Sequence, residues 1–230
     1  MRQTVLVTGT SGNLGGAILE KFLEHDYQVA ALDTPRSAEK AVRKENVRSF
    51  PVDLTDEYAV EDVVNEVYAF SGNIDMAVFT VGGFAMGNLV DTGQKEFNKM
   101  YVLNFVTAYN IARQVFSGME KQEGGGQMVF IGSRPALQPG EAKNMIAYSL
   151  TKSLVFRLAE VINEEGKSRG ISASVVVPST IDTPLNRLAM PEANFSTWVT
   201  PGEIAENIYH LSTAAGSKLR ENIIKVYGDS

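Results

Sequence analysis

Short apolar runs rich in β-branched residues alternate along this chain with longer segments in which apolar positions recur every three or four residues. The runs Thr4–Thr8, Gln28–Leu32, Val47–Phe50, Met76–Thr80, Gln127–Ile131, Ser172–Val177 and Ile223–Val226 read as strands. Helical periodicity spans 13–25, 37–45, 56–70, 94–121, 143–166 and 202–214. Val5-Leu6-Val7 and Ser174-Val175-Val176-Val177 are continuous, not alternating, as strands buried on both faces require. The regular order of strand and helix predicts an α/β fold, a doubly wound (Rossmann) sheet of about seven parallel strands with helices on both faces. Ligands of such sheets sit in the crevice beyond the strand C-termini.

The same pattern predicts a single domain over residues 1–230, since no internal repeat interrupts it. Gly124-Gly125-Gly126 reads as a helix stop between one helix and the next strand, too short for a linker. Pro178 to Pro201 is the longest stretch without a clear period, and it follows a strand end, where long loops are often functional.

Composition narrows the chemistry. The 230 residues include no cysteine, which removes disulfides, thiolate ligands and cysteine nucleophiles. Two histidines, His25 and His210, are too few and too far apart to suggest a metal site or a Ser-His-Asp hydrolase. Net charge is 21 − 27 = −6, which gives the chain no electrostatic reason to hold a nucleic-acid backbone. The strand pattern begins at once after the first residues, and no apolar stretch is long enough to span a bilayer, so the expectation is a cytoplasmic protein.

Thr8-Gly9-Thr10-Ser11-Gly12-Asn13-Leu14-Gly15 joins the first strand to the first helix. Glycines at 9, 12 and 15 allow a tight turn, close approach of a pyrophosphate and close helix–strand packing, and the free N–H groups of the helix start would hold the phosphates. Asp33 ends the second strand, where a carboxylate can accept both ribose hydroxyls of NAD and would repel a 2′-phosphate. That favours NAD(H) over NADP(H), although Arg36 stands close enough to pair with such a phosphate. Asp53-Leu54 ends the third strand, and the carboxylate there would meet an adenine or else cap the helix that follows.

Tyr148 and Lys152 stand four apart in a predicted helix and share one face. A phenol titrates near pH 10 in water and needs a neighbouring positive charge to exchange protons at neutral pH. Taken with the Thr8–Gly15 turn, Asp53-Leu54, Val81-Gly82-Gly83, Asn104, Ser133 and Pro178 through Pro184, this pair makes essentially the whole chain resemble the short-chain dehydrogenase/reductase family. The resemblance implies hydride transfer between NAD(P) and a small substrate, with Tyr148 as acid/base and Lys152 on the nicotinamide ribose. It further implies Ser133 on the substrate oxygen, Asn104 supporting a proton-relay water, and Ile181 and Thr183 at the carboxamide. Cofactor contacts would come from Gly9, Ser11, Gly12, Asn13, Leu14, Gly15, Asp33, Asp53, Leu54, Val81, Gly82, Gly83, Lys152, Pro178, Ile181 and Thr183, and no metal is implied. Members of the family assemble as homodimers or homotetramers.

Within the family, the Gly-x-x-Gly-x-x-Gly spacing, Val81-Gly82-Gly83-Phe84, Thr183-Pro-Leu-Asn-Arg187 and Met190 through Trp198 look like dihydropteridine reductases, which reduce quinonoid dihydropterins with NADH. Asn104 and Ser133 fit ordinary carbonyl reductases better, so the chain looks intermediate. The resemblance makes 178–201 a lid over the nicotinamide, with Met190, Phe195 and Trp198 facing substrate or anchoring the loop, and Arg187 available to a polar substrate group. Phe84 and Met86 would line the pocket floor, and Tyr101, Phe105 and Tyr109, four apart, read as a core stripe. Two other readings remain open: a non-catalytic dinucleotide sensor, and an epimerase or dehydratase using nicotinamide transiently, whose chains usually carry a longer C-terminal domain.

Overall fold

The computed structural model describes residues 2–39, 44–220 and 222–229. Strands β1 (Thr4–Thr8), β2 (Gln28–Asp33), β3 (Val47–Pro51), β4 (Met76–Phe79), β5 (Gly126–Ile131), β6 (Ile171–Pro178) and β7 (Ile223–Val226) form one sheet in the order β3-β2-β1-β4-β5-β6-β7. Every neighbouring pair is parallel. The sequence-derived strands are therefore reproduced to within one residue at each end. Winding reverses between β1 and β4, and the crevice beyond their C-termini is the switch point of the sheet.

Side chains of successive strand residues leave opposite faces, so β1 feeds two cores. Leu6 joins Leu32, Phe50, Ala77 and Phe130 beneath α3 (Glu57–Ser71), α5 (Thr107–Met119) and α7 (Ile146–Gly166). Val5 and Val7 join Ile18, Phe22, Ile204 and Ile208 beneath α1 (Asn13–Glu24) and α9 (Pro201–Ser212). A fully buried Phe22 or Ile18 contributes about 1.5–3 kcal/mol each, which makes two-sided burial of the central strands the main source of stability. The α9 helix opens with a capping box, Thr200 and Glu203 each satisfying the other's backbone N–H.

The remaining elements are α2 (Pro35–Ala38), α4 (Gln94–Tyr101), α6 (Arg134–Leu137) and α8 (Pro184–Ala189). Several expectations are corrected here. The helix read over 37–45 is the single turn of α2, capped by Thr34; residues 40–43 lie outside the described residues. The helix read over 94–121 is interrupted by a π-helical turn at Val102–Val106, and the one read over 143–166 starts at Ile146. Gly124 and Gly125 do not stop a helix, since α5 has already ended at Met119. They form a left-handed turn (φ +86° and +68°) in which a Cβ on Gly125 would sit 2.3 Å from the Arg169 carbonyl oxygen. Tyr101 and Tyr109 are exposed, not core, because α5 buries its other face through Ala108, Ile111, Ala112 and Val115. With Phe105 they form a ladder of rings 5.6 and 5.9 Å apart along the surface. No helix among the described residues is long and apolar enough to cross a membrane.

Candidate active site

The first turn is built for a close ligand. Gly9 adopts φ +71° and donates its N–H to Leu32 O at 2.7 Å, folding the turn back onto β2. Gly15 packs so tightly that a Cβ would lie 2.1 Å from Gly9 O, and the Gly12 N–H donates to that same oxygen at 3.0 Å. Gly12 is the N-cap of α1 and offers no side-chain acceptor, and the first backbone bond of the helix comes only from Gly16 to Gly12. The N–H groups of Asn13, Leu14 and Gly15 thus open on the crevice with the positive end of the helix dipole. A cleft of about 440 Å³ runs along these residues past Asp33, Asp53, Leu54, Val81, Gly82 and Thr183.

Asp33 is buried, and its carboxylate is already engaged. One oxygen accepts from the Ser11 N–H (3.0 Å) and hydroxyl (2.7 Å), the other from the Thr10 hydroxyl. The acid therefore clamps the glycine turn, a tie that strand-end position alone does not reveal. Asp53 does not cap the helix that follows: its Oδ1 accepts from the Thr55 N–H and hydroxyl, while Asp56 caps α3 through Tyr58 and Ala59. Those bonds hold the Asp53 carboxyl below its usual range. Leu54 is buried, and its carbonyl accepts from the Asn110 amide.

Beyond β4 the chain turns at Thr80 to Gly83. Thr80 is tied to Thr8, its hydroxyl donating to Thr8 O at 2.6 Å. Gly83 donates its N–H to Asn104 Oδ1 at 2.8 Å. Residue 82 is crowded by the site's own side chains: a Cβ there would meet Asn104 Oδ1 at 2.8 Å and Lys152 Nζ at 3.2 Å, so any larger residue would displace one or both. Asn104 itself sits, fully buried, on the π-helical turn, where an extra residue per turn redirects side chains and loosens backbone pairing.

Tyr148 lies in the first turn of α7, its ring edge-on to Phe84 at 5.0 Å. Phe84 and Met86 are exposed at the crevice wall and do not form a floor. Burial raises the Tyr148 pKa, and the approach of the Ser133 hydroxyl pulls it back down. Ser133 occupies the N-cap position of α6 but caps nothing; its Oγ is buried with no full hydrogen bond among the described residues. That orphaned oxygen, next to a phenol, is what a site for a substrate oxygen looks like. Lys152, one turn along α7, is buried and donates to Ile131 O at 2.8 Å, and burial pushes its pKa down to about 8.

A buried lysine of this kind makes stability depend on pH. Between about 8 and 10.5 the unfolded chain binds the proton and the folded one does not, so this group adds stability as pH rises through that window. Lys152→Met is expected to stabilise the protein by about 2 kcal/mol at pH 7, with the difference from wild type shrinking by pH 9.5. Urea unfolding of both proteins at the two pH values reads this directly.

The segment 178–201 is pinned at its base. Ile181 pairs with Val199, and the Asp182 N–H donates to Val199 O at 2.8 Å. Pro178 ends β6; Thr183 caps α8 and reaches the cleft. Arg187 is not free for a substrate, because it makes a bidentate pair with Asp182 (2.6 and 2.7 Å) and stacks over Phe195, which packs on Trp198. Leu185, Leu188 and Met190 stay exposed. Three polar residues that sequence reasoning passed over take part in the site: Thr10, Thr80 and Thr151. Threonines are too common to signal alone; a threonine in the middle of a buried helix face, as at 151, is the clearest available hint.

This geometry defines a dinucleotide-binding oxidoreductase: glycine cradle, uncapped helix start, strand-end acid, and a phenol–lysine pair facing the same crevice. The model of the short chain dehydrogenase family matches residues 3–193, and the chain belongs to that family. It is 28% identical over 221 residues to a dihydropteridine reductase of Dictyostelium discoideum, covering 95% of this chain and 91% of that one. It is 32% identical over 190 residues to an uncharacterized oxidoreductase, YuxG, of Bacillus subtilis, which covers 78% of this chain and 27% of that one. Among solved structures, ElxO with NADP bound superposes with a TM-score of 0.90 at 25% identity, covering 99% and 98% of the two chains. The chain is accordingly an NAD(P)-dependent oxidoreductase of the short-chain type.

Proposed function

We propose that this chain reduces a small carbonyl or quinonoid substrate with NADH, and that Tyr148 supplies the proton. The observation that carries the reading is the meeting of three groups at the C-terminal edge of the sheet: the Tyr148 phenol, the orphaned Ser133 hydroxyl and buried Lys152. Residues Gly9, Ser11, Gly12, Asn13, Leu14 and Gly15 would hold the pyrophosphate side of the cofactor, and Asp53-Leu54 would face its adenine. Val81, Gly82, Gly83, Pro178, Ile181 and Thr183 would border its nicotinamide half. When bound, the nicotinamide supplies the hydride. Ser133 would then fix the substrate oxygen, Tyr148 would donate its proton to it, and Lys152 would hold the ribose and favour the phenolate that remains. Asn104 would position the relay that returns the proton.

Two finer points belong to the same reading. Asp33, held in place by Thr10 and Ser11, presents a fixed negative charge where a 2′-phosphate would fall, which favours NADH. Asp33→Ala is expected to raise KM for NADH about tenfold and to erase the preference over NADPH, as loss of a charge-assisted hydrogen bond would; steady-state kinetics with both cofactors checks it. Substrate of the quinonoid dihydropterin type is favoured by the aromatic pair Phe195–Trp198 in the lid segment and by the likeness to the Dictyostelium enzyme. The ladder of exposed Tyr101, half-buried Phe105 and exposed Tyr109, with Leu150, Leu154 and Val161 of α7, suits a homodimer or tetramer. Residues 1–230 would work as one domain, in the cytoplasm.

The deciding experiment is NADH oxidation by purified protein with freshly generated quinonoid dihydropterin, with a no-enzyme blank and parallel ketone and aldehyde substrates. Turnover with the pterin alone supports the narrower substrate; turnover with ketones alone moves the assignment to carbonyl reduction. Cofactor binding without turnover of any substrate would overturn the catalytic reading in favour of a sensor.

A further inference from the structure

Asn104 joins two parts of the site, and the groups at its two ends fix which way its amide faces. Its Oδ1 accepts from the Gly83 N–H at 2.8 Å, on the turn that borders the cofactor cleft. Its Nδ2 donates to Thr151 Oγ1 at 3.2 Å, and Thr151 Oγ1 in turn donates to Ala147 O at 2.7 Å within α7. Thr151 has no exposed surface and Asn104 almost none, so water cannot substitute for either partner. The other group near Nδ2 is Met100 Sδ at 3.9 Å, a weak acceptor.

An amide can turn end for end, exchanging its acceptor and its donor. Were Asn104 to do so, an N–H group would face the Gly83 N–H, and the turn would lose its anchor. Because the Thr151 hydroxyl hydrogen goes to the α7 backbone, to Ala147 O at 2.7 Å with Tyr148 O at 3.1 Å, its oxygen is left as an acceptor that receives the Nδ2 side. Glycine at 82 leaves no side chain to brace the turn otherwise, since a Cβ there would clash with Asn104 and Lys152. We propose that Thr151 is a positioning residue. Its hydroxyl holds the donor end of the Asn104 amide, so that the acceptor end stays on the Gly83 N–H, and thereby fixes the placement of the Gly82–Gly83 turn against the nicotinamide half of the cofactor.

The inference rests on the cofactor-binding reading above, so NADH affinity is the primary readout and turnover the second. Thr151→Val, nearly isosteric, is expected to weaken NADH binding about tenfold, the usual cost of orphaning one buried polar group, and to lower kcat more than it raises the substrate KM. Thr151→Ser, which keeps the hydroxyl, is expected to stay within about threefold of wild type by the same reasoning. Thr151→Ala suits a helix and adds no bulk, and it carries the test should the valine variant fail to fold. The double variant N104A/T151A is expected to bind NADH no more weakly than N104A alone, because both act through one amide.

Wild-type affinity in Thr151→Val overturns the proposal, as does an equal loss in Thr151→Ser, which would make the methyl packing responsible. Losses that multiply in the double variant overturn it as well. Wild-type protein that binds neither NADH nor NADPH overturns the cofactor reading and the proposal together, whereas normal wild-type binding with multiplying losses overturns the proposal alone.

Discussion

Tyr148→Phe is expected to lower kcat for the reductive reaction about a thousandfold, within the range that a lost general acid commands, while NADH affinity stays within about twofold. The ring remains, so its edge-on contact with Phe84 and the packing of the first turn of α7 are preserved. What disappears is the phenolic proton donor beside the Ser133 hydroxyl. The pH profile sharpens the test. Burial, only partly offset by Ser133, holds the Tyr148 phenol above its ordinary value of 10.0, so wild-type reduction is expected to keep its proton donor through neutral pH and to fall only above about pH 10, as the phenol deprotonates. The residual activity of the phenylalanine variant has no such group and is expected to lose that limb. Steady-state rates from about pH 6 to about pH 11 in both proteins decide it, and an unchanged kcat in the variant would remove Tyr148 from the chemistry.

Gly15→Ala is expected to cost more than any other single methyl group added to this chain's first turn. The new Cβ would lie 2.1 Å from Gly9 O and 2.7 Å from its carbonyl carbon, both backbone atoms that cannot rotate away. Relief requires α1 to move off β1, opening the contact through which Gly9 holds its left-handed turn. The expected loss is about 2–3 kcal/mol of stability, typical of forced overpacking, with NADH binding weakened at least a hundredfold because the phosphate-facing N–H groups shift with the helix. Gly140→Ala is the matched control: nothing lies within 4 Å of a Cβ there, and it is expected to be neutral within about 0.5 kcal/mol. Thermal unfolding and NADH titration of the three proteins give the comparison.

Some of the site was legible before any coordinates. Tyr148 and Lys152 share a helix face because four residues make about one turn, and the helix was plain from its periodicity. The three glycines could be assigned to a turn because they fell between a strand pattern and a helix pattern. Asp33 and Asp53 were harder. Both read as strand ends, yet Asp33 is the last residue of β2, buried and gripped by Thr10 and Ser11, whereas Asp53 lies two residues beyond β3, exposed, and closes a local turn with Thr55. The apolar pattern does not separate the two; the burial of Asp33 comes from the glycine turn that folds over it, and that is a long-range contact.

Arg187 and the aromatic ladder teach the same point in opposite directions. Arg187 looked free for a substrate, but five residues away Asp182 is held by the pairing of 181 with 199, close enough to take both guanidinium bonds. Tyr101, Phe105 and Tyr109 looked like core, because a four-residue stripe marks a helix face without saying which face meets the sheet.

What the sequence determined by itself is what depends on near neighbours: the alternation of strand and helix, burial of the central strands on both faces, the glycine turn and the Tyr148–Lys152 face. Short-range sterics and periodic hydrophobicity act within a few residues, so one dimension suffices to read them. Only the tertiary structure decided that the Ser133 hydroxyl is left unpaired beside Tyr148, that Asp33 clamps the first turn, and that Thr151 and Gly83 meet through Asn104. Those contacts join residues 15 to 47 positions apart or more, and they exist because parallel strands with crossing helices bring every C-terminal end to one edge.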